Sequence, residues 1–314
     1  MGKDSSIEWT THTYNPWRGC RKVSAGCAYC YMFTEQGRRG IDPTVVTRAR
    51  QPTFRSPLRW KEPAFVFTCS YSDFFIEEAD PWRDEAWSII RQTPHLTYQM
   101  LTKRPENILD RLPSDWGDGY ENVWLLVSTE NQAMLDKRVP ILREIPARLH
   151  GISAEPLLEL LDLTDYLGYC PECGSHYLST EGWWGGIWWA NFKGVKRLQH
   201  RCEGTDIQAG RWGMPRPLNW VIVGGESGPR AREVKLSWLC SIVEQCRRAK
   251  TAVFVKQLGQ KYASDHGLRQ RKGQDPSEWP EELRVREMPD VPSPRGVDGC
   301  TPGFQPGGLG SIPS

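Results

Sequence analysis

The sequence predicts an α/β fold built on a partial parallel (β/α) barrel, with a small inserted segment and a Pro- and Gly-rich tail. Short apolar, β-branched or aromatic runs alternate with helical stretches over most of the 314 residues. A βαβα order places the strands in a parallel sheet with helices outside it, and the number of units favours a barrel. A doubly wound open sheet is the alternative, although no Gly-x-Gly-x-x-Gly turn follows the first strand.

Six runs are predicted as strands because each is short, apolar and bounded by small or polar residues, and they lie at 65–69, 97–101, 123–128, 149–153, 220–223 and 252–256. Helices are predicted at 84–92, 106–112, 132–145 and 237–250, the last two from apolar positions at helical spacing. Residues 1–168 and 218–261 therefore form the predicted barrel, residues 169–217 an inserted segment, and residues 262–314 an irregular tail.

Three cysteines in the run GCRKVSAGCAYCY, Cys20, Cys27 and Cys30, carry the strongest chemical signal. Each iron of a 4Fe-4S cluster takes one cysteine, so three thiolates leave the fourth iron open to a small molecule. Tyr29, directly before the last cysteine, is expected to cover the cluster and to stack on a bound base. The alternative is a closed tetrahedral zinc site in which His12 supplies the fourth ligand.

The cysteine run resembles the cluster loop of radical S-adenosylmethionine (SAM) enzymes, although six residues rather than three separate its first two cysteines. This resemblance implies that the methionine part of SAM binds the open iron of a 4Fe-4S cluster, within a barrel of radical SAM type. Further landmarks resemble an uncharacterised radical-SAM-like family of phages and prophages, a domain of unknown function; they are EWTTHTYNPWRGC, CSYSDFF, LTKRP, GISAEPLL and WVIVGGESG.

Polar residues follow most of the predicted strands, and in a parallel barrel the carboxyl ends of the strands meet at one mouth. SAM presents an amine, a carboxylate, a ribose diol and an adenine, which carboxylates, cations and closely approaching glycine backbone can bind. We predict that Lys103 joins the three cysteines in catalysis. The predicted cofactor-binding residues are Tyr29, Ser70, Ser72, Asp73, Ser128, Glu130, Glu155, Gly225 and Glu226.

The inserted segment carries a second set of metal-binding residue types. Cys170 and Cys173 form a Cys-x2-Cys knuckle, and His200 and Cys202 follow it. Four such ligands are typical of structural zinc, which supplies folding free energy to a short segment. His176 is a rival for the position of His200. The sequence therefore predicts a zinc-ribbon-like insertion with one structural zinc ion.

Composition limits the cellular context and the partners. Ten cysteines without a secretory signal indicate a reducing compartment, and no apolar run reaches the ~20 residues that span a bilayer, so we expect a cytoplasmic protein without a membrane partner. Net charge is +2, but residues 1–61 hold eleven Lys/Arg against four Asp/Glu. Long-range steering by this basic region favours a phosphate-bearing partner.

Two function classes follow from these observations. The first is a radical SAM enzyme, which cleaves SAM to give a carbon radical, needs an electron donor, and acts on a nucleic-acid base, a nucleotide or another small molecule in modification or repair. The second is a zinc-stabilised nucleic-acid-binding protein without SAM chemistry, in which the basic stretch 38–61 contacts phosphates.

Overall fold

The computed structural model describes residues 4–167 and 217–290, together with the backbone of two strands at 187–192 and 195–200. Its strands are β1 (His12–Tyr14), β2 (Trp17–Arg18), β3 (Thr47–Arg48), β4 (Ala64–Thr68), β5 (Leu96–Thr102), β6 (Val123–Ser128), β7 (Leu149–Ala154), β8 (Ile187–Phe192), β9 (Val195–His200), β10 (Trp220–Gly224) and β11 (Ala252–Gln257). Its helices are α1 (Tyr31–Arg38), α2 (Gln51–Phe54), α3 (Asp80–Gln92), α4 (Gln132–Glu144), α5 (Leu236–Arg248) and α6 (Gln260–Asp265).

Seven strands form one curled, all-parallel sheet in the order β1-β4-β5-β6-β7-β10-β11, which is a half-barrel. Strands that follow one another along the chain in this sheet are also neighbours in space. Because every neighbouring pair is parallel, all seven strands end at the same edge of the sheet. The predicted partial parallel barrel is therefore confirmed. Strands β8 and β9 pair separately as an antiparallel hairpin within the inserted segment.

The six predicted strands correspond to β4, β5, β6, β7, β10 and β11, with ends that differ by one residue at most. The seventh strand, β1, was not predicted because three residues are too few to show a period. A helix predicted at 106–112 is wrong, since this stretch forms two 3-10 turns. Side-chain contacts fix those turns: Asn107 donates to the Phe75 carbonyl at 3.0 Å, and Arg111 donates to Asp80 at 2.9 Å.

The two faces of the sheet carry two separate apolar clusters, as alternation along buried strands requires. One face packs against α3, α4 and α5 through residues such as Leu125, Ile152 and Val221. The other face holds an aromatic cluster in which the ring of Trp220 lies 6.0 Å from that of Trp9 and 5.9 Å from that of Trp124. Trp124 and Trp220 lie at the beginnings of β6 and β10, and Trp9 lies just before β1. They fill the amino-terminal part of the concave face and leave the carboxyl edge for a site.

Residues 262–290, predicted as irregular, pack along the edge strand β11. The Val255 amide donates to the Val285 carbonyl at 2.9 Å, and the Glu287 amide donates to the Val253 carbonyl at 2.9 Å. Trp279 and Leu283 are buried against the same core as α5. This segment has little regular structure, but it completes the core at one end of the sheet.

Two sequence predictions fall outside the described residues. The side chains of the predicted zinc ligands Cys170, Cys173, His200 and Cys202 lie there, as does the Pro- and Gly-rich stretch from residue 291 onward. Within 4–167 and 217–290 and the two hairpin strands, no helix is long and apolar enough to cross a membrane.

We predict that Leu283→Ala lowers the free energy of unfolding by about 2 to 5 kcal/mol, because a fully buried leucine is removed from the core. The matched control is Leu160→Ala, at an exposed position, which should change it by less than about 0.5 kcal/mol. Urea denaturation of both variants measures the difference. Equal stabilities would contradict the assignment of residues 262–290 to the core.

Candidate active site

The three cysteines lie on one loop at the carboxyl edge of the sheet. This loop, residues 19–30, is called the cysteine loop below; it follows β1 and β2 and ends where α1 begins, directly after Cys30. Its first residue, Gly19, has a φ of +96°, and a Cβ there would lie 2.2 Å from the Val45 carbonyl oxygen. The Gly19 carbonyl accepts a bond from Ser72 at 2.6 Å, so the predicted site residue Ser72 holds the start of the loop.

Three ion pairs at the carboxyl edge bind the cysteine loop, and the carboxylate of each is buried. The carboxylate of each pair comes from a segment that follows the end of a strand, Arg138 comes from α4, and each pair also gives at least one hydrogen bond to the loop. The pairs are Asp73–Arg104 at 3.2 Å, Glu130–Arg138 at 2.8 Å and Glu226–Arg232 at 2.7 Å. Three of the predicted cofactor-binding carboxylates are therefore occupied by arginines.

The first pair contacts Cys20. Arg104 Nη1 lies 3.2 Å from Asp73 Oδ2 and 3.7 Å from Cys20 Sγ, and Nη2 donates to the Arg21 carbonyl at 2.8 Å. Asp73 also accepts from the Thr102 hydroxyl at 2.7 Å. Burial raises the pKa of the Cys20 thiol to about 11, with a further increase from Asp73 that Arg104 opposes. Asp73 thus positions Arg104 against the loop.

The second pair holds the middle of the loop. Glu130 is fully buried after β6, and it accepts from the Gly26 amide at 3.1 Å and from Arg138 of α4 at 2.8 Å. Burial by itself raises the pKa of Glu130, but a hydrogen bond from Ser24 and the charges of Arg138 and Lys103 hold it below its ordinary value. A Cβ at Gly26 would lie 2.9 Å from the Glu130 carboxyl carbon, so this contact requires glycine.

The third pair holds the loop beside Tyr29. Arg232 binds Glu226 through two nitrogens, at 2.7 and 2.9 Å, and donates to the Ala25 carbonyl at 3.1 Å. The guanidinium carbons of Arg230 and Arg232 lie 4.9 and 5.2 Å from the centre of the Tyr29 ring. Tyr29, which was predicted to cover a bound group, is therefore fixed by two cations.

Other predicted site residues have smaller roles at the same edge. Lys103 Nζ donates to Ser128 Oγ at 2.9 Å, and Ser70 is bonded to Asn15 at 3.0 Å. The Glu155 carboxylate reaches across β10 to Lys256 at 3.2 Å, because Gly224 has no side chain there. Gly225 packs against the backbone of Leu258 and Gly259, where a Cβ would lie 2.4 Å from a carbonyl oxygen.

The described ranges, 4–167 and 217–290, contain no group of three or more His, Cys, Asp or Glu side chains arranged to hold a metal ion. His12, the alternative fourth zinc ligand, lies at the beginning of β1 rather than at its carboxyl end. Its Nδ1 atom lies 2.9 Å from the Thr11 carbonyl oxygen, and its ring lies 4.8 Å from that of Trp60. A zinc site that combines His12 with the cysteine loop has no support from this arrangement.

The basic stretch 38–61 makes many contacts within the protein. Arg48 binds Glu85 at 2.5 Å and lies 3.9 Å from the Phe54 ring centre, while Arg55 shares the same carboxylate at 3.4 Å. Arg59 donates to the Pro52 carbonyl at 2.8 Å. These arginines stabilise the fold around α2 and α3, whereas Arg38 and Arg39 are exposed at the end of α1.

Sequence reasoning missed the three arginines that complete the ion pairs. One of them left a signal: Arg138 lies on the buried face of α4 with Leu135, Val139 and Leu142. An arginine on an apolar helix face indicates a buried counter-charge, since an unpaired buried cation is costly. Arg104 and Arg232 lie in irregular segments without a period, so the sequence offers no equivalent signal for them.

We predict that Glu130→Gln lowers the free energy of unfolding by about 3 to 5 kcal/mol near neutral pH, because Arg138 is left buried without its counter-charge. The pKa of Glu130 is depressed on folding, so its stabilisation is present above the ordinary value of 4.5 and is lost as pH falls through the lower folded value. The two proteins should therefore converge in stability below that pH. Urea titrations at several pH values test this, and a difference that does not depend on pH would contradict it.

Comparison with known proteins places the chain in a family. A family model described as a protein of unknown function, DUF5131, matches residues 4–289, which include the whole half-barrel and the cysteine loop. No curated protein matches the chain, and no solved structure matches it. The matched residues cover well over half of the sequence, and the chain therefore belongs to the DUF5131 family.

Proposed function

We propose that this protein is a radical SAM enzyme in which Cys20, Cys27 and Cys30 bind a 4Fe-4S cluster. The observation that carries the proposal is the cysteine loop itself, which presents three free thiols at the carboxyl edge of a parallel half-barrel. Active sites of parallel barrels lie at this edge. An enzyme of this class needs cysteine ligands and a bound cofactor at the same mouth.

The residues present suit such a cluster in number and in chemical type. Three thiols on one loop match a cluster with one iron open to a ligand. His12 lies at the beginning of β1, away from the carboxyl edge that carries the cysteine loop, so its position does not suit a fourth zinc ligand. Thiolate is the form of cysteine that binds metal, and a neighbouring cation favours it. Arg104 supplies that cation beside Cys20, where it opposes the increase in the thiol pKa that burial and Asp73 cause.

The bound cluster and SAM would supply reductive cleavage of SAM to a carbon radical. The chain's own residues then have two kinds of role. Asp73, Glu130 and Glu226 act with their arginines to hold the loop in place. Lys103 and Glu155 are assigned to bind the carboxylate and the amine of SAM, because their hydrogen-bond partners are a serine and a lysine rather than an arginine clamp.

The substrate proposed carries phosphate, with a nucleotide or a base within a nucleic acid as the candidate class. Support comes from exposed cations on the cysteine loop and at the end of the helix that follows it, Lys22, Arg38 and Arg39. Arg48 and Arg55, bound to Glu85, are not part of this surface. An electron donor is a required partner of the proposed chemistry. A structural zinc at Cys170, Cys173, His200 and Cys202 remains a separate part of the proposal.

We predict that Cys27→Ala abolishes iron binding, whereas Cys240→Ala retains the iron content of the parent. Cys27 lies on the cysteine loop, and Cys240 lies on α5, away from it. Iron and sulfide per chain after anaerobic reconstitution give the measurement. Equal iron in the two variants would rule out the ligand assignment, and a parent protein that takes up zinc but no iron would rule out the proposed function.

We predict that Lys103→Met weakens SAM binding by about 1.5 to 3 kcal/mol, the usual contribution of a hydrogen bond to a charged group. That is roughly a 10- to 150-fold increase in Kd. Lys137→Met is the control, since Lys137 is exposed on α4. Calorimetry with SAM on reconstituted protein measures both. Unchanged affinity in Lys103→Met, at parent iron content, would remove Lys103 from the cofactor site.

A further inference from the structure

The three cysteines of the loop have unequal electrostatic surroundings. Cys20 Sγ has the guanidinium of Arg104 at 3.7 Å, whereas the neighbour of Cys27 Sγ is the neutral Ser24 hydroxyl at 4.0 Å. Arg104 is only 6% exposed, so solvent does not screen its charge strongly. One sulfur of the loop therefore has a buried cation beside it.

The position of this cation is fixed by the fold. Arg104 bonds to Asp73 and to the Arg21 carbonyl, and its own amide donates to Thr102 at 2.9 Å. Burial alone would lower the pKa of Arg104, but Asp73 and Cys20 raise it above its ordinary value, and the group stays charged. Asp73 in turn accepts two bonds from backbone amides and one from Thr102, so it cannot turn away from the pair.

Hydrogen bonds and nearby charges at cysteine sulfurs are among the features that set the reduction potential of an iron-sulfur cluster. We propose that Arg104 is a positioning residue that raises the potential of the cluster through Cys20, and that Asp73 limits this increase. The inference rests on the proposed function, since it requires a cluster on the loop. A cation at the sulfur stabilises the reduced cluster, which carries one more negative charge, and an anion beside the cation partly cancels that effect.

This role predicts shifts of opposite sign at two residues that touch each other. Arg104→Gln removes the positive charge and should move the midpoint potential to a more negative value. Arg104→Lys keeps the charge but loses the planar fork, so its shift should have the same sign and be smaller. Asp73→Asn removes the negative charge and should move the potential to a more positive value. A purely structural role would not give opposite signs.

The experiment is a redox titration, followed by electron paramagnetic resonance, of anaerobically reconstituted full-length protein and its variants, with iron per chain measured on each sample. Arg143→Lys is the matched control: Arg143 is a buried arginine of similar exposure, but its partner is the Asp165 carbonyl at 3.2 Å. Its potential and iron content should equal those of the parent.

The outcomes separate the inference from the proposed function. A parent protein without iron overturns the proposed function and the inference with it. A parent with iron, together with Arg104→Gln of equal iron content and equal potential, overturns the inference alone. If Arg104→Gln does not fold, the decision falls to the other two variants: a negative shift in Arg104→Lys with a positive shift in Asp73→Asn supports the inference, and any other pair of results overturns it.

Discussion

Three ion pairs, Asp73–Arg104, Glu130–Arg138 and Glu226–Arg232, hold the cysteine loop at the carboxyl edge of the sheet. Burying a charged pair gives little net stability, because desolvation offsets most of the attraction, whereas removing one partner of such a pair costs about 3 to 5 kcal/mol. What the pairs provide is position. Each presents a hydrogen bond to the loop, at Cys20 and Arg21, at Gly26, or at Ala25. A loop of twelve residues without helix or sheet of its own beyond one 3-10 turn is thereby fixed near its start, at Cys20 and Arg21, and in its middle, at Ala25 and Gly26.

The half-barrel makes this arrangement available. Its strands add to the sheet in chain order and in parallel, so residues far apart in sequence meet at one edge: Gly26 and Glu130 are 104 positions apart and share a hydrogen bond. At the opposite end of the concave face, Trp9, Trp124 and Trp220 fill the interior with aromatic side chains. Glycines at 26 and 224 then permit the close contacts of Glu130 and Glu155, which any Cβ would obstruct. Aromatic side chains therefore fill one end of the concave face, and ion pairs hold the cysteine loop at the other end.

The sequence predicts the features that are local or periodic. Buried strands such as Val123–Ser128 are read from their own residues, and the shared edge follows from parallel order, so the convergence of strand-end polar residues was predictable. Strand β1 was not, because three residues carry no period, and neither was the packing of Trp279 and Leu283, which depends on an irregular segment meeting β11. Arg104 and Arg232, the partners of Asp73 and Glu226, were missed because they lie in irregular segments, whereas Arg138 left a signal on the buried face of α4. A pair such as Glu226–Arg232 is defined in space, and a sequence shows only that both charges exist.

The ion pairs change which of the carboxylates at the strand ends are proposed to bind SAM. From sequence alone, Asp73, Glu130, Glu155 and Glu226 are equivalent carboxylates at strand ends. In the structure, three of them are 4%, 0% and 7% exposed and bound to arginines, so their oxygens are bonded to groups of the protein itself. Moving such a carboxylate from its arginine to a ligand would cost about 3 to 5 kcal/mol for a buried pair, which exceeds the 1.5 to 3 kcal/mol that a new hydrogen bond to a charged group contributes. Glu155 differs, because its partner is Lys256, a partly exposed cation on a flexible side chain. This comparison is the reason why Asp73, Glu130 and Glu226 are proposed to hold the loop, and why Glu155 is the carboxylate proposed to bind the ligand.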